Sequence, residues 1–492
     1  MVSARPRGRI ACVMKVAPVI LWLRRDLRVA DQAALLAAVD SGRPVIPVYV
    51  LDDEGARHRR LGGASRWWLY HSLAALEAAL QQRGSRLILR RGRAEVALAS
   101  LMIETRAHAI HALHHVEPWW QNAERAVLRG GLNLCLHHGN YLAPPGSVRS
   151  GSGTPYRIYT PFWRALRAQM PPALPRPAPD VIPAPTRWPA SETLDSWGLL
   201  PTAPDWAGGM AAEWTPGEAG AQQRLADFLD HARVYAETRN LPSQSGTSRL
   251  SPHLAFGEIS PATLWHATQD LGGSTDTFLS ELAWRDYAAN IIHQIPDYGS
   301  RPAKPDFESL PWRDDPEGLA AWQGGRTGYP IVDAGMRELW VSGWMHNRVR
   351  MIAASFLIKH LLIDWRAGER WFWDTLLDAD YAQNAVNWQW SAGSGVDANL
   401  FVRIMAPLVQ SEKFDAGAYI RRWVPELAGL GDDQIHDPDP LTRRRCGYPM
   451  PIVGHREGRE RALAAWAAMK AKDTPQPSPS DLRAWEWAQA KG

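Results

Sequence analysis

With 492 residues, 45% of them apolar and 22% charged, the chain has the composition of an ordinary globular protein of two or three domains. A net charge of +4 permits a nucleic-acid partner without demanding one. Three cysteines, Cys12, Cys135 and Cys446, are too scattered for a CxxC pair, a zinc site or a disulfide framework; this points to a reducing cytoplasm and against an iron–sulfur cluster.

The opening stretch MVSARPRGRIACVMKVAPVILWLRRDLR sets basic residues before a short apolar run, as a secretory signal does. Pro18 interrupts that run, no small-residue cleavage site follows, and it leads straight into RRDLR. Val19–Leu23 therefore reads as a buried strand. No apolar run approaches the ~20 residues of a membrane helix. From residue 16 to about 140, the strand-like runs VILWL, PVIPVYVL, RLILRRG, AIHALHHV and LNLCLHH alternate with helix-like segments, among them DQAALLAAVDSG and ASRWWLYHSLAALEAALQQRG. Such alternation predicts an α/β domain with a Rossmann-like parallel sheet covered on both faces. The GxGxxG fingerprint of dinucleotide binding is absent after the first strand. Residues 141–215, rich in Pro, Gly and Ser, are expected to form a surface connector with neither helix nor strand. From 216 to 472 helical patterns dominate and predict an all-helical domain, followed by a loose tail over 473–492.

Tryptophan stands out, with 25 against 9 Phe and 12 Tyr. Every buried indole N–H needs a partner, so bulk core filling would favour Leu and Phe. In GWMHNRVRM, a helix would place Trp344, Asn347, Arg348 and Met351 on one face. That mixture is poor core material. SELAWRDY groups Glu281, Trp284 and Arg285 in the same way, and an amphipathic helix edge with snorkelling arginine is the plainer reading of either segment. SGTSRLSPHLAFGEISP offers Gly246, Thr247, Ser248 and Ser251 with an arginine among them, suited to phosphates, although Ser/Thr helix caps look alike. NAVNWQW, on a helix after a turn bearing two aspartates, sends Trp388 and Trp390 roughly 200° apart, with Asn384 on the Trp388 face.

Together with LWLRRDLRVADQAAL, TPFWRAL and GRTGYPIVDAGMREL, these motifs resemble the photolyase/cryptochrome family, collinear from about residue 18 to 470. The nearest likeness is to bacterial cyclobutane pyrimidine dimer photolyases. VDANLFVRIMAPLVQSEKFDAGAYIRRWVPEL and IVGHREGRERAL resemble the class III branch, with class I as the alternative. The resemblance implies an α/β antenna domain, a linker and a helical domain holding a folded FAD. Tyr235, Thr247, Ser248, Leu250 and Ser251 would hold its diphosphate. Asp378, paired with Arg350, and Asp380 would approach the flavin, with Asn384 beside N5. Plant cryptochromes carry aspartate there, so asparagine favours repair. Glu281 and Asn347 would hydrogen-bond a flipped-out dimer, Met351, Trp284 and Trp390 would wall it, and Arg239 and Arg348 would meet the DNA backbone. Trp388, Trp365 and Trp312 match the family's electron-transfer tryptophans.

The resemblance thus implies a cytoplasmic, monomeric, light-driven lyase acting on DNA that contains pyrimidine dimers, with no membrane partner and no metal. A cryptochrome-type photoreceptor is the main rival, and a non-photochemical DNA-binding flavoprotein a third reading. VEPWWQNAER departs from the folate-contacting pattern of class I; methenyltetrahydrofolate is the expected antenna, with a deazaflavin or none as alternatives. Ala406 stands where many relatives carry asparagine.

Overall fold

The computed structural model describes residues 16–53, 59–398 and 401–473. Cys12, and the expected tail beyond Asp473, lie outside the described residues. Each of the five apolar runs near the N-terminus yields one strand: β1 (Val19–Leu23), β2 (Val45–Leu51), β3 (Ile88–Arg91), β4 (Ile110–Leu113) and β5 (Leu134–His137). They form one parallel sheet in the order β3-β2-β1-β4-β5. Side chains alternate between its faces. Val19, Leu21 and Leu23 pack with Trp67 and Trp68 of the Gly63–Gln81 helix, whereas Ile20 and Trp22 pack with Leu98 and Val127 of the helices Ala94–Thr105 and Pro118–Arg129. β1 is consequently buried along all five residues, which is why its sequence is uniformly apolar.

RRDLR, directly after β1, is buried and ties the sheet to the helical region. Arg25 Nη1 donates to the Ala379 carbonyl at 2.8 Å, and Arg28 Nη1 donates to the Gly257 carbonyl at 2.9 Å. The two backbones nearly touch. Gly257 adopts φ +65°, and a Cβ there would lie 2.2 Å from the Arg25 carbonyl oxygen, so glycine is required. Trp68 adds a further tie, donating from Nε1 to Glu258 at 2.9 Å.

The connector differs from its expectation. It contains a helix over Tyr159–Arg167, a shorter one over Gly208–Glu213 and a 3₁₀ turn over Leu194–Trp197. Tyr159, Phe162 and Leu166 lie at helical spacing and are buried in the helical domain's core, so packing overrides the Pro/Gly-rich surroundings. Beyond 216 the described chain is helical, as expected. One face assignment fails: Trp344 precedes the Asn347–Ser355 helix instead of sharing its face. Gly343, at φ +68°, ends the preceding helix, and His346 starts the next by accepting from the Arg348 N–H.

The Pro407–Lys413 helix has Ala406 at its N-cap, in an extended conformation and with no side-chain acceptor. Asparagine at such a position accepts an otherwise unmatched N–H. Ala406→Asn should therefore stabilise the protein by about 1 kcal/mol, read as a raised thermal midpoint. An unchanged or lowered midpoint would count against the cap.

Candidate active site

A cavity of about 510 Å³ opens among the helices, within the range of small-molecule sites. Its walls come from the Thr275–Gln294 helix (Glu281, Trp284), the Asn347–Ser355 helix (Asn347, Arg348, Arg350, Met351) and the Tyr381–Ala392 helix (Asn384, Trp388, Trp390). Tyr235, Arg239, Ser248, Ser251, Asp378 and Asp380 also border it. Thr247, Leu250, Trp365 and Trp312, which the resemblance places at the site, do not line it, and neither do Gly246 and Trp344 of the same motifs. Leu250 is instead packed into the helical core.

The aspartate turn is fixed from two sides. Arg350 meets Asp378 with two parallel hydrogen bonds of 3.0 and 2.8 Å, and its Nε donates to the Met345 carbonyl at 2.7 Å. This is the strong bidentate geometry of arginine and carboxylate. Asp380 caps the helix that follows, accepting from the Gln383 N–H at 2.8 Å. One turn on, Asn384 donates through Nδ2 to both the backbone and the side-chain oxygen of Glu369, at 2.9 and 2.8 Å. Both partners are acceptors, so the amide's orientation is determined. The group Asn384 retains for a bound molecule is its carbonyl oxygen. Glu369, only 2% exposed, is answered by two hydrogen bonds of 2.7 Å from Arg59, 310 positions away. Sequence reasoning missed both residues, because nothing local marks a buried carboxylate whose partner is so distant.

The hydroxyl motif is split. Ser251 Oγ accepts from Trp344 Nε1 at 3.2 Å, which leaves its O–H free to donate to a ligand. Arg249 is withdrawn from this set. Its guanidinium lies between Trp214 and Trp344, at 4.7 and 4.8 Å from the rings, and pairs with Glu213 at 3.1 Å.

Opposite, Glu281 forms an ion pair with Arg239. Burial lowers the Arg239 pKa, but Glu281 outweighs it and the net shift is upward. Arg348 donates to Asn240 at 2.7 Å and lies 4.4 Å over the Phe414 ring. Both arginines thus have partners within the protein. His346, which caps the Asn347 helix, is pushed down to about 4 by burial and by Arg350 and Arg348. At neutral pH it is therefore uncharged and can accept the Arg348 N–H.

Trp388 and Trp390, set roughly 200° apart on their helix, both border the cavity. They differ in packing. Trp388 is 2% exposed and lies against Phe372 (5.0 Å) and Trp322 (6.3 Å), while Trp390 is half-buried. A Cβ at Gly368 would fall 2.1 Å from the Trp388 ring, so a glycine is needed there. Trp365 is fully buried, and Trp312 packs against the same core. The indole N–H groups of Trp388 and Trp312 are buried without hydrogen-bond partners.

The donor set fits FAD. The hydroxyls of Ser248 and Ser251 would suit a diphosphate, the Arg350–Asp378 pair and the Asn384 carbonyl would suit a polar ring edge, and much of the remaining wall is aromatic and apolar. Among the described residues, no group of three or more His, Cys, Asp or Glu side chains could hold a metal ion. No described helix is long and apolar enough to cross a membrane.

Residues 19–180 match the family model described as DNA photolyase, and residues 278–468 match the FAD binding domain of DNA photolyase. A deoxyribodipyrimidine photo-lyase from Agrobacterium fabrum is 50% identical, with 93% of this chain and 99% of the relative covered. Cryptochrome-1 of Arabidopsis thaliana is 35% identical, covering 92% of this chain and 70% of its own length. The crystal structure of a bacterial class III photolyase from Agrobacterium tumefaciens superposes with a TM-score of 0.90 at 48% identity, covering 94% of this chain and all of that one. Two family models in the right order over an α/β sheet and a helical cavity leave one assignment: the chain belongs to the DNA photolyase family.

Proposed function

We propose that this protein is a light-driven DNA-repair lyase that splits cyclobutane pyrimidine dimers, with FAD in the large cavity and the lesion against its aromatic wall. The observation that carries this is convergence. Residues suited to FAD (Ser248, Ser251, Arg350, Asp378, Asp380, Asn384) and residues suited to a flipped-out dimer (Glu281, Trp284, Asn347, Met351, Trp390) line the same space. Bound FAD, when reduced and excited by light, supplies the electron that opens the cyclobutane ring and then receives it back. The protein's part is to bind, orient and exclude water.

Trp284, Met351 and Trp390 offer apolar surface to an extrahelical dinucleotide, which a damaged step releases more cheaply than an intact one. Glu281 and Asn347 supply the polar contacts. A phosphate beside Arg239 would compete with Glu281 for the guanidinium and free the carboxylate for the lesion. Arg348 supplies a second backbone contact. With its carbonyl oxygen presented, Asn384 would accept from a ring N–H of bound FAD and so hold a proton there. Trp312, Trp365 and Trp388 form a route by which an electron reaches the cavity from the surface.

On this reading residues 16–140 form the antenna-type module, 141–215 the connector and 216–472 the catalytic domain, in a cytoplasmic monomer. A folate antenna is less well accommodated. A second cavity lies where the strand order switches, bordered by Arg24 and Arg25 after β1 and by Glu117, Trp119 and Trp120 after β4. Its rings suit a pterin. At about 30 Å³, however, it holds little more than a water, with Trp119 packed against Trp373 and Tyr381 at 6.3 and 5.1 Å. A folate does not fit this space.

Dithionite-reduced protein, mixed with an oligonucleotide containing one thymine dimer, should restore two thymines under blue light and none in the dark. Absence of repair by fully reduced protein that retains FAD would hand the case to a photoreceptor of cryptochrome type. Trp388→Phe should slow photoreduction of oxidised FAD by an order of magnitude or more while leaving repair by pre-reduced protein intact. Equal losses in both assays would mean that Trp388 serves the lesion and not the supply of electrons.

A further inference from the structure

The connector helix Tyr159–Arg167 reaches the cavity wall. The Tyr159 ring lies flat on Trp284, with centroids 3.5 Å apart and planes within 8°. Tyr159 is itself buried and is tied at both ends. Its N–H donates to Asp397 Oδ2 at 2.7 Å, and its hydroxyl donates to the Ser280 carbonyl at 2.6 Å. Ser280 lies one turn before Trp284 on the same helix. One turn after it, Tyr287 stands edge-on to both rings, 5.7 Å from Tyr159 and 5.5 Å from Trp284, and donates to the Arg157 carbonyl at 2.8 Å. The connector is thus bound to the helix on either side of the Trp284 ring.

Aromatic pairs left to themselves choose offset or edge-to-face geometry over a face-to-face sandwich. The flat stack here is set by the anchors on Tyr159 and Tyr287. Its consequence falls on Trp284, which is half-buried and borders the cavity. An indole free to change rotamer must be ordered when a ligand arrives, and that ordering weakens binding. With one face covered and both flanks fixed, Trp284 keeps a single face for a ligand. We infer that Tyr159 is a positioning residue for Trp284, holding the indole pre-ordered so that its open face receives the pyrimidine dimer. The inference rests on the DNA-repair reading above, and it gives the YTPFWRAL motif of the connector a role in lesion selectivity. Undamaged duplex, which delivers no base to this wall, should not sense the change.

The test is a double-mutant cycle on the FAD-loaded full chain, using an oligonucleotide with one thymine dimer and its undamaged counterpart in the dark. Trp284→Leu should weaken dimer binding about tenfold or more and leave undamaged binding unchanged. Tyr159→Leu should weaken dimer binding about three- to tenfold, the loss expected for one aromatic pair. In the Trp284→Leu background Tyr159→Leu should add less than about twofold. Tyr159→Phe, which keeps the ring, should recover most of the affinity. An equal loss from Tyr159→Leu in both backgrounds, or a phenylalanine variant as weak as the leucine one, would overturn the proposal. If Trp284→Leu itself leaves dimer binding intact, the lesion reading of this wall fails; if only Tyr159→Leu is silent, the reading stands and the positioning role falls. Should the leucine variant lose FAD, Tyr159→Met, which refills the space with a flexible chain, carries the same comparison. Loss of FAD in both would overturn the proposal in favour of general bracing.

Discussion

The site depends on a buried arginine. Arg25 is only 7% exposed, and burial lowers its pKa despite the nearby carboxylates of Asp380 and Glu117. A desolvated guanidinium is tolerated only where acceptors meet it. Its principal acceptor is the Ala379 carbonyl, in the turn between Asp378 and Asp380. Arg25 also lies 4.5 Å over the Phe256 ring, on the segment that carries the hydroxyl motif. The demand for acceptors just past β1 therefore draws the aspartate turn and the hydroxyl segment toward one point, and the cavity forms beside it.

The same logic recurs at Glu369. A carboxylate at 2% exposure requires a cation, and Arg59, from the segment leading into the first long helix of the α/β module, supplies it. The pair fixes Asn384. Arg350 performs the corresponding service for Asp378. These arginines are structural counter-charges, whereas Arg239 and Arg348 stand at the cavity with partners that a phosphate could displace. The arginines thus fall into two sets, one committed to buried carboxylates and one at the cavity with partners that can be exchanged.

The sheet was legible because β1 and β2 are buried and uniformly apolar, and the edge strands still carry short apolar runs. The cavity residues were legible because their motifs resemble a known family residue by residue. What stayed hidden depends on distant pairing. Arg59 and Glu369 meet across 310 positions, and Tyr159 meets Trp284 from a segment whose prolines and glycines argue against structure. Trp344 was misplaced for a local reason, since one left-handed glycine, Gly343, ended a helix that periodicity alone would have continued. The separation of Trp388 from Trp390 was legible as an angle. That both would border one cavity was not.

On the proposed reading, Glu281 and Asn347 act on the lesion after the cofactor is reduced. A hydrogen bond that strengthens as charge develops on the dimer raises the splitting yield and not affinity alone. The direct measurement is the repair yield per absorbed photon for Glu281→Ala and Asn347→Ala, fully reduced and saturated with dimer, with bound FAD quantified on the same preparations. The account predicts a lower yield at full FAD occupancy, with a lost charge-assisted bond costing on the order of 1.5–3 kcal/mol divided between yield and binding. An unchanged yield at full occupancy would contradict it.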